Sequence, residues 1–254
     1  MTPYLKLMRF HFHISFISVI AGALFFGGPD SRFPASAIFQ CYLLFNVLLY
    51  GGIYTFNDIV DVEADAAHET KKNRPLPSGQ VGMGPALLFC ALLICISLYF
   101  SWRLFSTDVL LIFLAFVAAN AAYTLALKKT PYAGLSIVAL THTLRLVLGV
   151  VIANGSLDPH FCGAFYALLF CIAVTIHGTY NAKPEDEKYY PRWALIACQI
   201  ACSVFIVGLA MEASPSSMPW RILLIVFPVF VASSHLPFMR HPLAVLFMAK
   251  EKKN

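Results

Sequence analysis

Long apolar stretches alternate with short polar segments along the chain. About 20 consecutive apolar residues cross a hydrocarbon layer of about 30 Å as a helix, and eight stretches of that kind are present. They occupy residues 10–27, 36–56, 83–102, 105–126, 132–153, 161–180, 192–211 and 219–237. A further apolar piece at 242–249 is too short to cross alone and is expected to form a half-span or an interfacial segment. The pattern predicts an all-α integral membrane protein, built as a bundle of eight or nine transmembrane helices around a central cavity.

The composition agrees with a membrane protein that has one domain. Of the 254 residues, 59% are hydrophobic and 12% are charged, against about 25% charged residues in soluble domains. The first apolar stretch is expected to remain as a membrane span and not to be removed as a signal peptide, because seven more stretches follow it. We therefore predict a single transmembrane domain over residues 1–254.

Lysine and arginine are distributed unevenly between the polar segments. With the N-terminus inside, fourteen of them fall on the cytoplasmic side, whereas Arg32 and Arg103 fall on the other side. This bias follows the positive-inside rule and predicts that the polar loops at 57–82 and 181–191 are cytoplasmic. These loops and anionic membrane lipid account for the net charge of +5. No nucleic-acid partner is therefore indicated, and no obligatory protein partner is evident.

Acidic residues are concentrated directly after the second apolar stretch. Asn57 is followed by Asp58, Asp61, Glu63 and Asp65 in a chain with 13 acids in all. If the helix that leaves the membrane continues through this run, the three aspartates are spaced i, i+3, i+7 and share one face. A divalent cation relieves their mutual repulsion, and three hard oxygen donors suit Mg²⁺ that is completed by substrate phosphates. A solvated helix end is the alternative interpretation.

The second cytoplasmic loop offers a weaker set of oxygen donors. Asn181 and Glu185 are spaced i, i+4, which would allow both to contact a second Mg²⁺, and Asp186 lies beside them. Pro184 stands between them and would distort or start a helix there. A solvated loop is the competing interpretation.

Three cations near these loops are candidates for binding a phosphate-bearing ligand. Arg74 precedes a proline-rich turn, and Lys128 and Lys129 follow the fourth apolar stretch. Arginine offers a bidentate fork to phosphate oxygens, and lysine offers a mobile point charge. Positive-inside anchoring is the alternative role for all three residues.

Polar residues also occur inside the apolar stretches. Arg145 lies within the fifth stretch, where a charge is expensive and normally faces a cavity or a partner. His142 lies one turn before it, and Asn46 lies within the second stretch. We expect these two residues either to line the same cavity or to hold helices together by hydrogen bonds.

Three sequence elements together resemble the UbiA superfamily of intramembrane prenyltransferases. The first is the Asn-Asp-x-x-Asp-x-x-x-Asp run at 57–65, and the second is Asn-Arg-Pro-Leu-Pro-Ser-Gly at 73–79, which is similar to the family's NRPIPSG element. The third runs from Tyr123 to Lys128 and is similar to the tyrosine and lysine that end the family's fourth helix. The chain departs from the family's second motif, because Asn181-x-x-x-Glu185 stands in place of DxxxD.

The resemblance implies a Mg²⁺-dependent enzyme that acts inside the membrane on a prenyl diphosphate and a small-molecule acceptor. The implied metal ligands are Asp58, Asp61, Asp65, Asn181, Glu185 and Asp186. The implied catalytic residues are Asp58, Asp61, Asp65, Lys128 and Arg145. The implied substrate-binding residues are Asn57, Arg74, Tyr123, Lys128, Lys129, Asn181, Asn46 and His142. The diphosphate would lie between the two polar loops, with the isoprenoid chain among the helices.

Several reactions remain open within this resemblance. The leading expectation is transfer of the prenyl group to an aromatic or quinone-precursor acceptor. The Asp-Val-Glu-Ala-Asp run, followed by His68 and Lys71-Lys72, also looks like the subgroup that attaches a pentose phosphate to a polyprenyl phosphate. The remaining alternatives are a terpene cyclase, in which the carbocation is quenched internally, and a non-catalytic lipid-binding or transport protein.

Overall fold

The computed structural model describes residues 2–27, 33–181, 187–213, 217–236 and 242. Regular structure in these ranges is helical, with no β-strand among them. The all-α prediction is therefore confirmed for the part of the chain that the structure describes.

Ten helices and three 3₁₀ segments follow one another in the described ranges. In chain order the helices are α1 (Pro3–Leu7), α2 (Ile17–Phe26), α3 (Ala35–Val60), α4 (Val62–Ala66), α5 (Met83–Leu104), α6 (Thr107–Leu127), α7 (Ala133–Ile152), α8 (Pro159–Tyr180), α9 (Arg192–Ala213) and α10 (Met218–Ser234). The 3₁₀ segments are Phe10–Phe16, Lys71–Asn73 and Glu187–Tyr189.

Within the described ranges, six helices are long and apolar enough to cross a membrane, namely α3 and α5 to α9. They support an integral membrane protein with several spans. The predicted first and eighth spans correspond to α2 and α10, which have between 10 and 17 residues and fall short of about 20. Helix α2 is short because the chain from Phe10 to Phe16 is wound as a 3₁₀ helix. The count of eight spans is thus not confirmed, and the segment 242–249 lies outside the described residues except for residue 242.

The helices pack into two compact units. One comprises Met1–Lys128 with Leu144–Leu157, and the other comprises Lys129–Thr143 with Asp158–Asn254. In the first unit α3 packs along α5, and α5 packs along α6. In the second unit α8 packs along both α9 and α10. The single domain and its central cavity remain predictions.

Two glycines allow a close helix contact in the first unit. A Cβ atom on Gly149 would lie 1.9 Å from the carbonyl oxygen of Val19, and one on Gly22 would lie 2.1 Å from that of Leu146. Neither position has room for a side chain, so the backbone of α2 meets that of the C-terminal half of α7. Small residues at such contacts are typical of membrane helices. The contact fixes α2, and with it the preceding N-terminal segment, to the first unit.

Asp158 joins two helix starts in the second unit. One of its carboxylate oxygens accepts a hydrogen bond from the N–H of Phe161 at 3.1 Å, which caps α8. The other oxygen accepts from the indole N–H of Trp220 on α10 at 2.8 Å. This aspartate is therefore structural and is separate from the acid run at 57–65.

Candidate active site

The acid run lies where α3 ends and α4 begins. The backbone at Asp61 has φ −92° and ψ 2°, so the condition of one uninterrupted helix through 57–65 is not met at this residue. A residue in that bridge conformation interrupts the helix for one position. Hydrogen bonds from the N–H of Asp61 to the Asn57 carbonyl (3.0 Å) and from the N–H of Asp65 to the Asp61 carbonyl (2.8 Å) preserve the register. Asp58 and Asp65 consequently remain two turns apart on one side of the chain.

Arg74 brings these two aspartates together. Its Nη1 atom lies 2.5 Å from Oδ2 of Asp65 and 3.5 Å from Oδ1 of Asp58. Lys71 adds a third contact, with Nζ 3.3 Å from Oδ1 of Asp65. Asp58 is 3% exposed and Asp65 is 2% exposed. Carboxylates buried to this degree need counter-charges, and the loop supplies them.

The proline-rich turn holds Arg74 in place. The Arg74 carbonyl accepts hydrogen bonds from the N–H of Ser78 at 3.0 Å and from its hydroxyl at 2.6 Å. Gly79 has φ 74°, a left-handed conformation that closes the turn and that glycine adopts most readily. Leu76 and Val81 then pack in a small buried cluster that also contains Leu7. The turn is anchored by these apolar contacts, and Arg74 is presented at its edge.

Arg9 is a member of the site that sequence reasoning missed. Its guanidinium contacts the carboxylate of Asp58 and lies 5.2 Å from the ring centroid of Tyr54. The backbone of Arg9 is left-handed (φ 49°, ψ 54°) at the turn before the 3₁₀ segment. In the sequence Arg9 is one of many positively charged residues beside an apolar stretch, and 49 residues separate it from Asp58. Nothing in the local pattern marks it as a functional residue.

A second group of contacts joins the acid run to the end of α6. Lys128 contacts the carboxylate of Asp61, and the hydroxyl of Thr124 donates to the side-chain oxygen of Asn57. The last turn of α6, Tyr123–Leu127, is π-helical, and the N–H of Lys128 donates to the Tyr123 carbonyl at 2.9 Å. This wider turn directs the chain so that Lys128 reaches Asp61. Together the three aspartates with Arg9, Lys71, Arg74 and Lys128 form what we call the acid–cation cluster.

Arg145 is buried among aromatic rings. It is 1% exposed, and its guanidinium carbon lies 4.6 Å from the ring centroid of Phe116 and 4.7 Å from that of Tyr50. The hydroxyl of Tyr54 donates to that of Tyr50 at 2.8 Å. Arg145, Tyr50, Tyr54 and Arg9 therefore form a continuous row that ends at Asp58, which we call the tyrosine row.

The other predicted residues are placed less centrally or not described. Asn46 is fully buried in a π-helical part of α3 (Tyr42–Leu49), and its side-chain N–H donates to the His13 carbonyl at 3.3 Å. His142 and Lys129 belong to the second unit, where His142 is half-buried and Lys129 is exposed. Asn181 ends the π-helical turn His177–Asn181, with only its backbone described. Glu185 and Asp186 lie outside the described residues.

The acid–cation cluster can be tested for its fit to Mg²⁺. In the described part of the chain, no three His, Cys, Asp or Glu side chains converge as metal ligands. Asp58 and Asp65 do converge on one nitrogen of Arg74, while Asp61 contacts Lys128. Mg²⁺ is commonly held by one or two carboxylates together with substrate phosphates. The Asp58–Asp65 pair fits that donor set, and Asp61 is held apart from it.

Comparison with known proteins identifies relatives of the chain. A decaprenyl-phosphate phosphoribosyltransferase from Corynebacterium glutamicum is 27% identical over 213 residues, which are 76% of this chain and 64% of that protein. A digeranylgeranylglyceryl phosphate synthase from Sulfolobus acidocaldarius is 32% identical over 163 residues, which are 62% of this chain and 55% of that protein. The chain thus spans less than two thirds of the length of either relative.

A solved structure shares the fold. It is a UbiA homologue from Archaeoglobus fulgidus bound to DMAPP and Mg²⁺, with a TM-score of 0.70, 16% identity, and coverage of 91% of this chain and 84% of that one. Residues 15–188 match the model of the UbiA prenyltransferase family. That range contains the three aspartates, Arg74, Lys128 and Arg145. The chain belongs to the UbiA prenyltransferase family.

Proposed function

We propose that this chain is a Mg²⁺-dependent membrane enzyme that transfers a prenyl group from a prenyl diphosphate to a small-molecule acceptor. The observation that carries the proposal is the Asp58–Asp65 pair around Arg74, at the end of a membrane helix. Two buried carboxylates next to several cations are suited to share a metal ion and a phosphate group. DMAPP and Mg²⁺ in the structure of the Archaeoglobus fulgidus homologue support the same ligand class.

The cluster can exchange its ion pairs when substrate binds. In the structure the carboxylates are neutralised by Arg9, Lys71, Arg74 and Lys128. A diphosphate offers these cations new oxygen partners, to which arginine binds as a fork and lysine as a point charge. Asp58 and Asp65 would hold Mg²⁺, which would supply positive charge for the leaving diphosphate. The chain's own cations would neutralise the rest of that charge.

The proposed site faces the cytoplasm, because the lysine and arginine bias of the loops assigns 57–82 to that side. The prenyl chain would lie among the membrane helices, where water is scarce. We propose an aromatic or quinone-precursor molecule as the acceptor, as in the leading sequence prediction.

A second reaction has support from one observation. The Corynebacterium glutamicum relative is named a decaprenyl-phosphate phosphoribosyltransferase. In such a reaction the diphosphate leaves from a pentose carbon, and a polyprenyl phosphate is the acceptor. The acid–cation cluster would serve the leaving diphosphate in the same way, so only the donor and the acceptor differ.

A substrate panel separates these reactions. The full chain in lipid nanodiscs is incubated with Mg²⁺ and labelled prenyl diphosphates, with and without aromatic acceptors, and in a parallel series with phosphoribosyl pyrophosphate and a polyprenyl phosphate. Products are identified by mass spectrometry. Product that requires both a prenyl diphosphate and an aromatic acceptor is the expected result. Product that requires phosphoribosyl pyrophosphate and a polyprenyl phosphate supports the second reaction, and cyclic hydrocarbon without any acceptor identifies a cyclase. Absence of turnover and of Mg²⁺-dependent diphosphate binding would contradict an enzymatic role.

A matched pair of variants tests the assigned residues. Asp58→Asn keeps the size of the side chain and removes its charge, so we expect loss of activity. Asp108→Asn makes the same change at an exposed position in the first turn of α6 and should retain activity. Equal activity in the two variants would mean that the acid–cation cluster has no role in the reaction.

A further inference from the structure

The second unit contains a polar cavity that shares no residue with the acid–cation cluster. Its volume is about 240 Å³, and it lies between the C-terminal end of α8, the start of α9 and the end of α10. We call it the Gln199 pocket, lined by Thr175, Thr179, Arg192, Gln199, Ser234 and His235, together with Tyr190 and an apolar wall. Typical pockets for drug-sized ligands measure about 300–1,000 Å³. The Gln199 pocket therefore suits a small polar group better than a whole isoprenoid chain.

Gln199 provides the rigid frame of this pocket. It is 3% exposed, and its side-chain N–H₂ donates to the hydroxyls of Ser234 at 3.1 Å and Thr175 at 3.3 Å. Its carbonyl oxygen accepts from Nε2 of His235 at 2.9 Å. A buried amide in a membrane helix is costly unless it is hydrogen-bonded in this way. The three bonds fix side chains from α8, α9 and α10 in one arrangement, so the pocket is preorganised.

The charge of the lining favours an anion. The lining residues in the described ranges include Arg192 and no Asp or Glu. Arg192, the first residue of α9, is exposed and makes no ion pair with any residue that the structure describes. A guanidinium at a pocket mouth offers a planar fork that matches phosphate oxygens. The hydroxyl of Thr179 lines the same pocket and can donate a further hydrogen bond.

The position in the membrane favours the head group of an amphiphile. The pocket lies at the ends of three apolar helices, which is the depth of lipid head groups. Leu195 and Ile196 form an apolar wall on α9, along which a hydrocarbon chain could continue.

We propose that the Gln199 pocket binds a phosphate group, presented either by an anionic lipid or as free inorganic phosphate. Arg192 supplies the charge, Thr179 supplies a hydroxyl donor, and Gln199 holds the walls. Neither the acid–cation cluster nor the proposed transfer reaction is needed for this binding. Failure of one proposal therefore leaves the other intact.

Lipid retention measured by native mass spectrometry tests the proposal. The full chain is released from nanodiscs that contain phosphatidylglycerol or a galactolipid without phosphate, and bound lipids are counted over a concentration series. Loss of a charge-assisted hydrogen-bond pair weakens binding by about tenfold or more, which is the effect we expect for Arg192→Gln on phosphatidylglycerol. Arg221→Gln removes an exposed arginine from α10, outside the pocket, and should change affinity less than about twofold.

Inorganic phosphate distinguishes the two sources of the ligand. If phosphate added to galactolipid discs binds to the wild-type chain and not to Arg192→Gln, the pocket takes the free anion. If phosphatidylglycerol alone is retained, the pocket takes a lipid head group, and both results support the proposal. Thr179→Val, which removes one hydroxyl, should weaken binding in the same direction and serves if Arg192→Gln does not fold. Equal effects of Arg192→Gln and Arg221→Gln on phosphatidylglycerol binding would overturn the proposal. Equal retention of the galactolipid and phosphatidylglycerol would also overturn it. If Arg192→Gln does not fold, unchanged binding in Thr179→Val would overturn it.

Discussion

Replacing Arg9 by glutamine should lower the melting temperature of the metal-free protein and should increase the stabilisation that Mg²⁺ provides. Asp58 is 3% exposed and contacts the Arg9 guanidinium, while Nη1 of Arg74 is farther away, at 3.5 Å. Glutamine can still donate a hydrogen bond but carries no charge. The variant therefore leaves a buried carboxylate without its closest counter-charge.

The size of the effect follows from this contact. A hydrogen bond to a charged partner contributes about 1.5–3 kcal/mol, and the Arg9 side chain is only 17% exposed, so solvent screens the contact little. In a chain of about 150–250 residues, 1 kcal/mol shifts the melting temperature by about 2–4 °C. In chelator we expect Arg9→Gln to melt roughly 3–12 °C below the wild type. In excess Mg²⁺ the gap should shrink, because Asp58 then has a cation in both proteins.

Thermal unfolding of the purified full chain in detergent, followed by tryptophan fluorescence, measures both gaps. Lys6→Gln is the matched control, because it removes one charge from an exposed residue of α1 in the same N-terminal segment. It should melt within about 1 °C of the wild type under both conditions. The reasoning is refuted if Arg9→Gln melts with the wild type in chelator, or if its gap is the same with and without Mg²⁺.

Three further substitutions probe other contacts. Asp61→Ala should abolish product formation at near-normal expression. Turnover at the wild-type rate would mean that the reaction does not require Asp61. Gly149→Leu should lower the yield of folded protein sharply in size-exclusion profiles, because a Cβ would lie 1.9 Å from a carbonyl oxygen. Gly208→Ala, which places its Cβ in open space, should leave that yield unchanged. Tyr50→Phe breaks the tyrosine row and should reduce kcat/KM about 2- to 12-fold, the equivalent of about 0.5–1.5 kcal/mol. Tyr99→Phe, at an exposed tyrosine of α5, should leave that value unchanged, and equal values for the two variants would mean that the row does not act on the reaction.

Local patterns in the sequence predict the features that depend on neighbouring residues. The apolar stretches at 36–56 and 83–102 predict α3 and α5 because hydrophobicity over 20 residues reports membrane crossing directly. The contact of Arg74 with the acid run is also within reach of sequence reasoning, because only nine residues separate Arg74 from Asp65. The depth of Arg145 follows from its place inside an apolar stretch, and the structure buries it.

Features that depend on distant contacts or on backbone detail could not be predicted in this way. Arg9 meets Asp58 through packing of the N-terminal segment, which leaves no periodic signal. The backbone changes by only a fraction of a turn at the interruption at Asp61 and at the π-helical turns near Asn46 and Tyr123. The spacing of residue types along the sequence does not reveal a change of that size. Gln199 does not stand out in the hydropathy of the sequence, because one polar residue barely changes the mean hydropathy of an apolar helix.

The most direct test is the release of diphosphate by the full chain in nanodiscs, measured with a labelled diphosphate donor and its acceptor. The wild type is expected to release diphosphate in Mg²⁺ and not in chelator, and Asp58→Asn is expected to release none in either. Release that persists in chelator, or that is unchanged in Asp58→Asn, would contradict a reaction carried by the acid–cation cluster.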